Sequence, residues 1–183
     1  VLDVGCGIGL HLIALSKWIK HGVGIDSSEV QISAADQNKE HHKVSNIQFI
    51  LADMRTFKSD ILFDAISFFF TTFGYFSESE NEDVLAMCSR QLKKDGVLFL
   101  DLQNTDQLKS RFGYDLKQPI VKRKTELFEG HELLIQQTMD WARKRLKQEI
   151  IFEPKHIRLV GEWRVYEKNE LEGGFFERLS GAG

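Results

Sequence analysis

The sequence has few cysteines, no long apolar run and no strong excess of one charge. Its 183 residues include only two cysteines, Cys6 and Cys88, which fits a chain kept in a reducing, cytoplasmic setting. No stretch of about 20 apolar residues and no secretory leader pattern is present, so nothing in the sequence indicates a membrane protein. The 24 basic and 27 acidic residues are interleaved and give a net charge of −3, which provides no general attraction to nucleic acid. We therefore expect neither nucleic acid nor a membrane as a partner.

Metal-ligand spacing and internal repeats are also missing from the sequence. His41, His42, His131 and His156 do not recur at the intervals typical of metal ligands, so we expect no metal site. There is no linker or low-complexity tract, and the length suits one domain. The first residue, Val1, already lies within a strand pattern, so we expect the sequence to be a piece of a longer chain.

Residues 1 to 105 alternate between apolar strands and amphipathic helices. The predicted strands span 2–4, 23–25, 47–51, 63–70 and 97–102, and the predicted helices span 10–20, 30–39 and the segment between Ser79 and Leu92. Ser28 with Gln31 and Ser79 with Glu82 have capping-box spacing, and the turn at 93–96 is expected to end the third helix. The third and fourth strands are nearly all apolar, as in a parallel sheet covered on both faces. The pattern predicts an α/β fold with a doubly wound, mainly parallel sheet.

After residue 105 the pattern changes to an alternation with period two, which is typical of strands. We interpret residues 120–167 as an antiparallel β lid after the fifth strand. The segment ARKRLKQE at 142–149 has residue types that favour helix and leaves a helical middle open. Trp141 and Trp163 fit either a cover over a substrate or a homodimer contact through the β lid, and the sequence does not separate these two roles.

The C-terminal segment has an apolar spacing that predicts a helix over 169–183, although two glycines within it count against this. The residues that carry the spacing are Leu171, Phe175, Phe176 and Leu179. We expect one domain overall, truncated at both ends, with a ligand-binding α/β core at 1–105. The lid, the substrate region and this helix would then occupy 106–183.

The segment LDVGCGIG places Gly5, Gly7 and Gly9 between the first strand and the first helix. In a doubly wound sheet, ligands bind outside the carboxyl ends of the strands, and glycine lets the backbone approach them closely. The dinucleotide fingerprint G-x-G-x-x-G is absent, because the residue three positions after Gly7 is Leu10. The segment instead reads D-x-G-x-G-x-G from Asp3, which counts against a nicotinamide-dependent oxidoreductase.

This segment resembles motif I of class I S-adenosylmethionine-dependent methyltransferases. The segments VGIDSS, FILADMRTF and LKKDGVLFLDLQN resemble the family's following strands, and FDAISFFFTTFGYF resembles its small-molecule branch, which includes amino-sugar N-methyltransferases. Together these matches cover about residues 1–104, and EWRVYEKNEL and LSGAG resemble the same branch more loosely. The resemblance implies a Rossmann-like methyltransferase fold with sheet order 3-2-1-4-5. It also implies methyl transfer from S-adenosylmethionine to nitrogen or oxygen of a small molecule, with S-adenosylhomocysteine as product.

The resemblance further implies a set of cofactor contacts at the carboxyl ends of the strands. Asp3 is expected at the methionine ammonium group, Asp26 at the ribose hydroxyls and Asp53 at the adenine amino group. The full expected set is Asp3, Gly5, Cys6, Gly7, Gly9, Asp26, Ser27, Asp53, Met54 and Phe70. Within it, Cys6 is a small residue in a tight turn and is not expected to be a nucleophile.

The acceptor is expected beside the loop that follows the fourth strand. Thr71, Thr72 and Tyr75 would face the transferred methyl group, and Asn104 at the end of the fifth strand would lie nearby. No residue stands out as the catalytic base, so no catalytic residue is assigned. The D-P-P-Y-type tetrapeptide of base-directed N-methyltransferases is replaced here by FTTF, which favours small acceptors over nucleic-acid bases.

Other interpretations stay open from the residues alone. Asp3 and Asp26 also fit simple strand-end caps, and Phe70 also fits a core position. A non-catalytic S-adenosylmethionine-binding module and an NAD-dependent oxidoreductase are the alternative functions. The basic segments at 121–124 and 143–147 fit either the RNA-facing patch of an RNA methyltransferase or a solvated strand edge or turn.

Overall fold

The computed structural model describes residues 1–171, which form two compact units. The first unit contains Val1–Phe73 and Ser77–Asp101, and the second contains Gly74–Phe76 and the described residues from Leu102 onward. The helix predicted over 169–183 and the segment LSGAG lie outside the described residues, apart from a short helix that ends at Glu170. Within residues 1–171, no helix has the length and apolar character needed to cross a membrane.

The first unit is a parallel five-stranded sheet with intervening helices. Its elements are β1 (Leu2–Val4), α1 (Leu10–Leu15), β2 (Gly22–Asp26), α2 (Glu29–His41), β3 (Ile47–Leu51), β4 (Phe63–Phe68), α3 (Glu78–Gln91) and β5 (Leu92–Leu100). The strand order β3-β2-β1-β4-β5 and the parallel pairing confirm the predicted sheet. Leu2, Val4, Ile25 and Ile66 are completely buried, so the central strands β1, β2 and β4 contribute to the core of this unit.

Two element ends differ from the prediction because side chains and backbone strain stop the elements early. Helix α1 ends at Leu15 rather than at residue 20, and the Asn46 amide donates to the carbonyls of Ser16 (2.9 Å) and Ile19 (2.8 Å) beyond that end. Strand β4 ends at Phe68 rather than at residue 70, since Phe70 and Thr71 have φ angles of +53° and +59°, outside the extended range.

The start and end of α3 also differ from the prediction. Ser77 with Glu80, rather than Ser79 with Glu82, forms the capping box, and both hydrogen bonds of the motif are present. The turn at 93–96 lies inside β5 rather than at the helix end, because Leu92 already pairs with Phe63 of β4. The four residues of the turn bulge out of the sheet before pairing resumes, and Asp95 takes a φ of +65° there.

The second unit is an antiparallel sheet of four strands, which confirms the predicted antiparallel region. Its elements are α4 (Thr105–Phe112), β6 (Ile120–Phe128), β7 (His131–Asp140), β8 (Arg145–Phe152), β9 (Ile157–Arg164) and α5 (Lys168–Glu170). The helical alternative for 142–149 is wrong: Lys144 has a φ of +51° in a tight turn, and Leu146 of β8 is buried opposite Met139.

The core of the second unit forms where α4 packs on one face of its sheet. This cluster consists of Leu108, Phe112, Met139, Trp141, Leu146 and Val165, with Ile120 and Trp163 partly buried against it. The Trp141 indole N–H donates to the carbonyl of Gly113 at 2.8 Å, so this side chain is a core residue of the unit. Helix α4 was not predicted from the sequence, because its amphipathic stretch is only eight residues long.

Candidate functional site

The three glycines after β1 form a tight turn that is held against β2. Gly5, Gly7 and Gly9 have φ angles of +69°, +53° and +78°, a region that favours glycine. The amides of Gly5 and Cys6 donate to the carbonyl of Ile25 at 2.8 and 2.9 Å. Cys6 is buried in the core beneath the turn, and burial raises the pKa of its thiol, which agrees with the expectation that it is not a nucleophile.

The glycines differ in what a side chain would meet at each position. A Cβ on Gly5 would come within 2.9 Å of Thr72, and one on Gly9 within 2.3 Å of the Phe49 ring. A Cβ on Gly7 would meet no atom closer than Gln31 Oε1 at 3.9 Å. Gly5 and Gly9 are therefore required by packing within the chain, whereas a Cβ on Gly7 would make only one ordinary van der Waals contact, with Gln31.

This difference predicts unequal costs for two alanine substitutions. Gly9→Ala should lower the free energy of unfolding by about 2–4 kcal/mol, since it adds both backbone strain and a clash with Phe49. Gly7→Ala adds strain without a clash and should cost about 1–2 kcal/mol. Urea unfolding of both variants checks the order, and equal losses would contradict the packing role assigned to Gly9.

Asp26, at the carboxyl end of β2, links the glycine turn to the start of α2. Its Oδ2 accepts the amide N–H of Gly7 at 2.9 Å, and its Oδ1 accepts that of Ser28 at 2.9 Å. Ser27 lies exposed between these contacts, and the Ser28 hydroxyl accepts from Gln31 as the N-cap of α2. Asp26 is thus a structural anchor of the turn in addition to its expected place at a ribose.

Asp3, in β1, is a buried carboxylate with one oxygen left without a partner. The residue is 1% exposed, and its Oδ1 accepts the Ser67 hydroxyl at 3.2 Å. Its Oδ2 is buried and has no hydrogen-bond partner among the described residues. Burial raises the pKa of Asp3 to about 7, against the opposing effect of the Ser67 hydrogen bond. An oxygen buried in this way would be stabilised by a cationic or hydrogen-bonding group of a ligand.

Asp53, which follows β3, is bound by Arg55, a residue that was not among the predicted site residues. The Arg55 guanidinium binds both oxygens of Asp53, the closest contact being 2.6 Å from Nη2 to Oδ2, and it also reaches Glu80 Oε1 at 2.5 Å. These hydrogen bonds lower the pKa of Asp53. Its expected contact with adenine stays a prediction, since a ligand would share these oxygens with Arg55. Met54 lies beside the pair and is half-buried.

The loop after β4 adjoins the glycine turn. The Thr72 hydroxyl donates to the carbonyl of Val4 at 3.1 Å, and its side chain occupies the space beside Gly5. Phe70 is 76% exposed, with its ring centroid 5.0 Å from that of His11 in α1, and His11 also stacks on Phe69 at 4.6 Å. Phe70 is therefore not a core residue. Thr72 supports the glycine turn, and this structural role explains its position without any contact to a methyl acceptor.

The remaining predicted residues, Tyr75 and Asn104, belong to the second unit. Asn104 is the N-cap of α4, where its side-chain oxygen accepts the Gln107 amide at 3.0 Å. Tyr75 is partly exposed. The other predicted residues belong to the first unit, where they lie in strands β1 and β2 or in the segments that follow β1 to β4. This unit also reveals Arg55, Ser67 and Asp101, of which only Arg55, next to Asp53 and Met54, carried a local sequence signal.

The basic segments of the second unit are paired with neighbouring polar groups. Arg123 donates to Gln136, and Lys124 pairs with Glu126 on exposed strand β6. In the segment 143–147, Lys144 pairs with Glu170 and Lys147 with Glu149. These contacts favour solvated strand edges over a patch of free cations. Across residues 1–171, no group of three His, Cys, Asp or Glu side chains has an arrangement that holds a metal ion.

Comparison with known proteins assigns these features to a family. Residues 1–96, more than half of the chain, match the family described as "Methyltransferase domain". The cypemycin N-terminal methyltransferase of a Streptomyces species is 30% identical over 104 residues, covering 55% of this chain and 40% of that protein. The chain spans less than half the length of the first curated relatives that it matches.

Solved structures show the same fold. An S-adenosylmethionine-dependent methyltransferase from Clostridium acetobutylicum ATCC 824 superposes with a TM-score of 0.77 at 17% identity, covering 93% of this chain and 68% of that one. CalS10, an amino pentose methyltransferase from Micromonospora echinaspora solved with bound S-adenosylmethionine, has a TM-score of 0.67 at 22% identity, covering 96% and 72%. The chain therefore belongs to the methyltransferase domain family and has the fold of class I S-adenosylmethionine-dependent methyltransferases.

Proposed function

We propose that the protein containing this chain transfers a methyl group from S-adenosylmethionine to nitrogen or oxygen of a small molecule. The observation that carries the proposal is the buried Oδ2 of Asp3, which has no hydrogen-bond partner among the described residues and lies in the strand that leads into the glycine turn. Asp26, at the end of the neighbouring strand, binds that same turn. Asp3 is thus available to a cationic group of a ligand, Asp26 to a pair of hydroxyls, and the glycine turn allows a ligand to approach the backbone closely.

The residues present fit the cofactor. Asp3 would accept the ammonium group of its methionine part, because a buried carboxylate oxygen without a partner gains most from a cationic donor. Each Asp26 oxygen accepts one backbone N–H and keeps a further lone pair, which suits the two ribose hydroxyls. When bound, the cofactor supplies a methyl group on a sulfonium, which is already an electrophile. The chain's residues therefore need to bind, orient and exclude water rather than to form a covalent intermediate.

The acceptor would lie beside the loop after β4. This loop carries the exposed Phe70 ring, and its Thr72 side chain lies beside Gly5 of the turn. The protonated form of an amine acceptor must lose a proton before its nitrogen can attack, and no base is assigned to that step. Amines are the acceptor class to test before others, since CalS10, which shares this fold, is named as acting on an amino pentose. On this proposal residues 1–105 bind the cofactor and residues 106–183 contact the acceptor. Contact between two copies through the antiparallel sheet stays a prediction.

The test uses the full-length protein. Calorimetry with S-adenosylhomocysteine and with NAD measures cofactor choice, and S-adenosylmethionine carrying a labelled methyl group is incubated with a panel of amines, phenols and carboxylates. We expect binding of S-adenosylhomocysteine, no binding of NAD, and label transfer to at least one small acceptor. Binding of NAD alone would support the oxidoreductase instead. Cofactor binding without label transfer to any member of the panel would support the non-catalytic module.

A further inference from the structure

Two consecutive residues in the loop after β4 have a backbone conformation that side chains rarely adopt. Phe70 and Thr71 have φ angles of +53° and +59°, and neither is glycine. Such conformations persist only where the surrounding structure holds them, and they concentrate at binding and catalytic sites. The described structure shows which residue holds these two.

Asp101, the residue directly after β5, makes two hydrogen bonds to this loop and a third to the last residue of β4. Its carboxylate Oδ2 accepts the amide N–H of Phe70 at 2.9 Å, and its carbonyl accepts that of Thr71 at 3.0 Å. Its own amide donates to the carbonyl of Phe68 at 2.9 Å. Both amides of the strained pair therefore end on the same residue, and only one of these bonds depends on the Asp101 side chain.

The loop held by Asp101 is also the loop that borders the glycine turn. The Phe70 ring lies against His11 of α1, and the next residue after the strained pair, Thr72, binds the Val4 carbonyl and fills the space beside Gly5. A change in the backbone of Phe70 and Thr71 would therefore move the exposed Phe70 ring relative to the turn. No other described side chain accepts a hydrogen bond from the Phe70 amide.

We propose that Asp101 is a positioning residue: it fixes Phe70 and Thr71 in their left-handed conformation, and the loop held in this way orients the methyl acceptor toward the cofactor. The proposal rests on the methyltransferase function given above. It does not make Asp101 a catalytic residue, since its carboxylate acts through the Phe70 amide. A neutral side-chain oxygen that accepts the Phe70 N–H is therefore sufficient to hold the loop, and the negative charge of the carboxylate is not required.

The experiment compares Asp101→Ala, Asp101→Asn and Asp64→Ala in the full-length protein. Asparagine keeps an oxygen that accepts the Phe70 N–H, whereas alanine does not. Asp64 is the matched control, because it is an exposed aspartate at the other end of the same strand pair, bound to Lys93 at 2.8 Å. The readouts are the hydrogen exchange rates of the Phe70 and Gly7 amides, the affinity for S-adenosylhomocysteine, and kcat and KM for an acceptor that the wild type methylates.

In Asp101→Ala we expect the Phe70 amide to exchange at least tenfold faster, while the Gly7 amide and the affinity for S-adenosylhomocysteine change less than threefold. The kcat/KM for the acceptor should fall at least tenfold. Asp101→Asn should restore both properties to within threefold of wild type, and Asp64→Ala should alter neither. Unchanged Phe70 exchange in Asp101→Ala, or an Asp101→Asn variant as impaired as the alanine variant, would overturn the proposal. If the wild type methylates nothing, the proposed function fails, and the exchange rates still decide whether Asp101 holds the loop.

Discussion

Replacing Asp26 with alanine is expected to weaken the binding of S-adenosylhomocysteine by about 1–3 kcal/mol, or roughly 5- to 150-fold. The variant removes the carboxylate expected at the ribose and also the acceptor for the amides of Gly7 and Ser28. Both effects act on the same turn, because the Gly7 amide donates to the Asp26 carboxylate. Isothermal titration calorimetry of the full-length protein measures the affinity, and thermal unfolding measures the accompanying loss of stability.

Two further variants separate the roles of Asp26. Asp26→Asn keeps one oxygen that accepts a backbone N–H, so it should be more stable than the alanine variant. It should bind the two ribose hydroxyls more weakly than the wild type does, because only one of its side-chain polar atoms is a hydrogen-bond acceptor. Asp36→Ala removes a partly exposed aspartate of α2 that pairs with Lys39 and should leave affinity unchanged. If Asp26→Ala bound S-adenosylhomocysteine as well as the wild type does, Asp26 would be an anchor of the turn only.

Replacing Asp3 with asparagine is expected to stabilise the cofactor-free protein at pH 8. Burial raises the pKa of Asp3 from 3.8 to about 7, so between these values the folded state holds a proton that the unfolded state releases. The free energy of unfolding therefore falls as pH rises from about 4 to about 7, by up to about 4 kcal/mol from this group. The asparagine side chain is neutral at every pH and avoids this loss.

The measurement is the difference in unfolding free energy between Asp3→Asn and wild type across pH 4 to 8. The difference should be small near pH 4, grow to pH 7 and then stay constant. Comparing the two proteins at each pH cancels the contributions of other acids, including Asp53 and Glu80, whose pKa values are lowered by Arg55 and by Ser77, respectively. A difference that does not vary with pH would show that Asp3 is ionised in the folded state throughout this range.

The same substitution is expected to weaken the binding of S-adenosylhomocysteine at pH 8 by about tenfold or more, because the ammonium group loses its charged partner. In the wild type, pairing with a cation favours the ionised carboxylate, so the affinity should rise from pH 6 to pH 8. Binding near pH 6 should then release a proton, which appears as a dependence of the calorimetric enthalpy on the buffer. Unchanged affinity in Asp3→Asn would exclude Asp3 from the cofactor site.

The parts of the fold that could be predicted from the sequence depend on local patterns. Apolar runs at 47–51 and 63–68 indicated strands of the parallel sheet, and period-two spacing after residue 120 indicated the antiparallel sheet. The edge strand β3 buries only Ile47 and Phe49, so burial on both faces could not be predicted for it from its apolar residues. Element ends were less predictable, because two serines near the start of α3 both have a glutamate three residues later. Only packing selects Ser77 over Ser79 as the cap.

The sequence by itself determined the alternation of strands and helices and the glycine turn that marks this family, because both depend on residues that are neighbours along the chain. Only the tertiary structure decided that Arg55 engages Asp53 and Glu80, that Thr72 supports the turn, and that Asp101 holds the Phe70 amide. These partners are up to 68 positions apart. Which of these polar groups meet follows from strand order and burial, and neither is encoded in the spacing of any single segment.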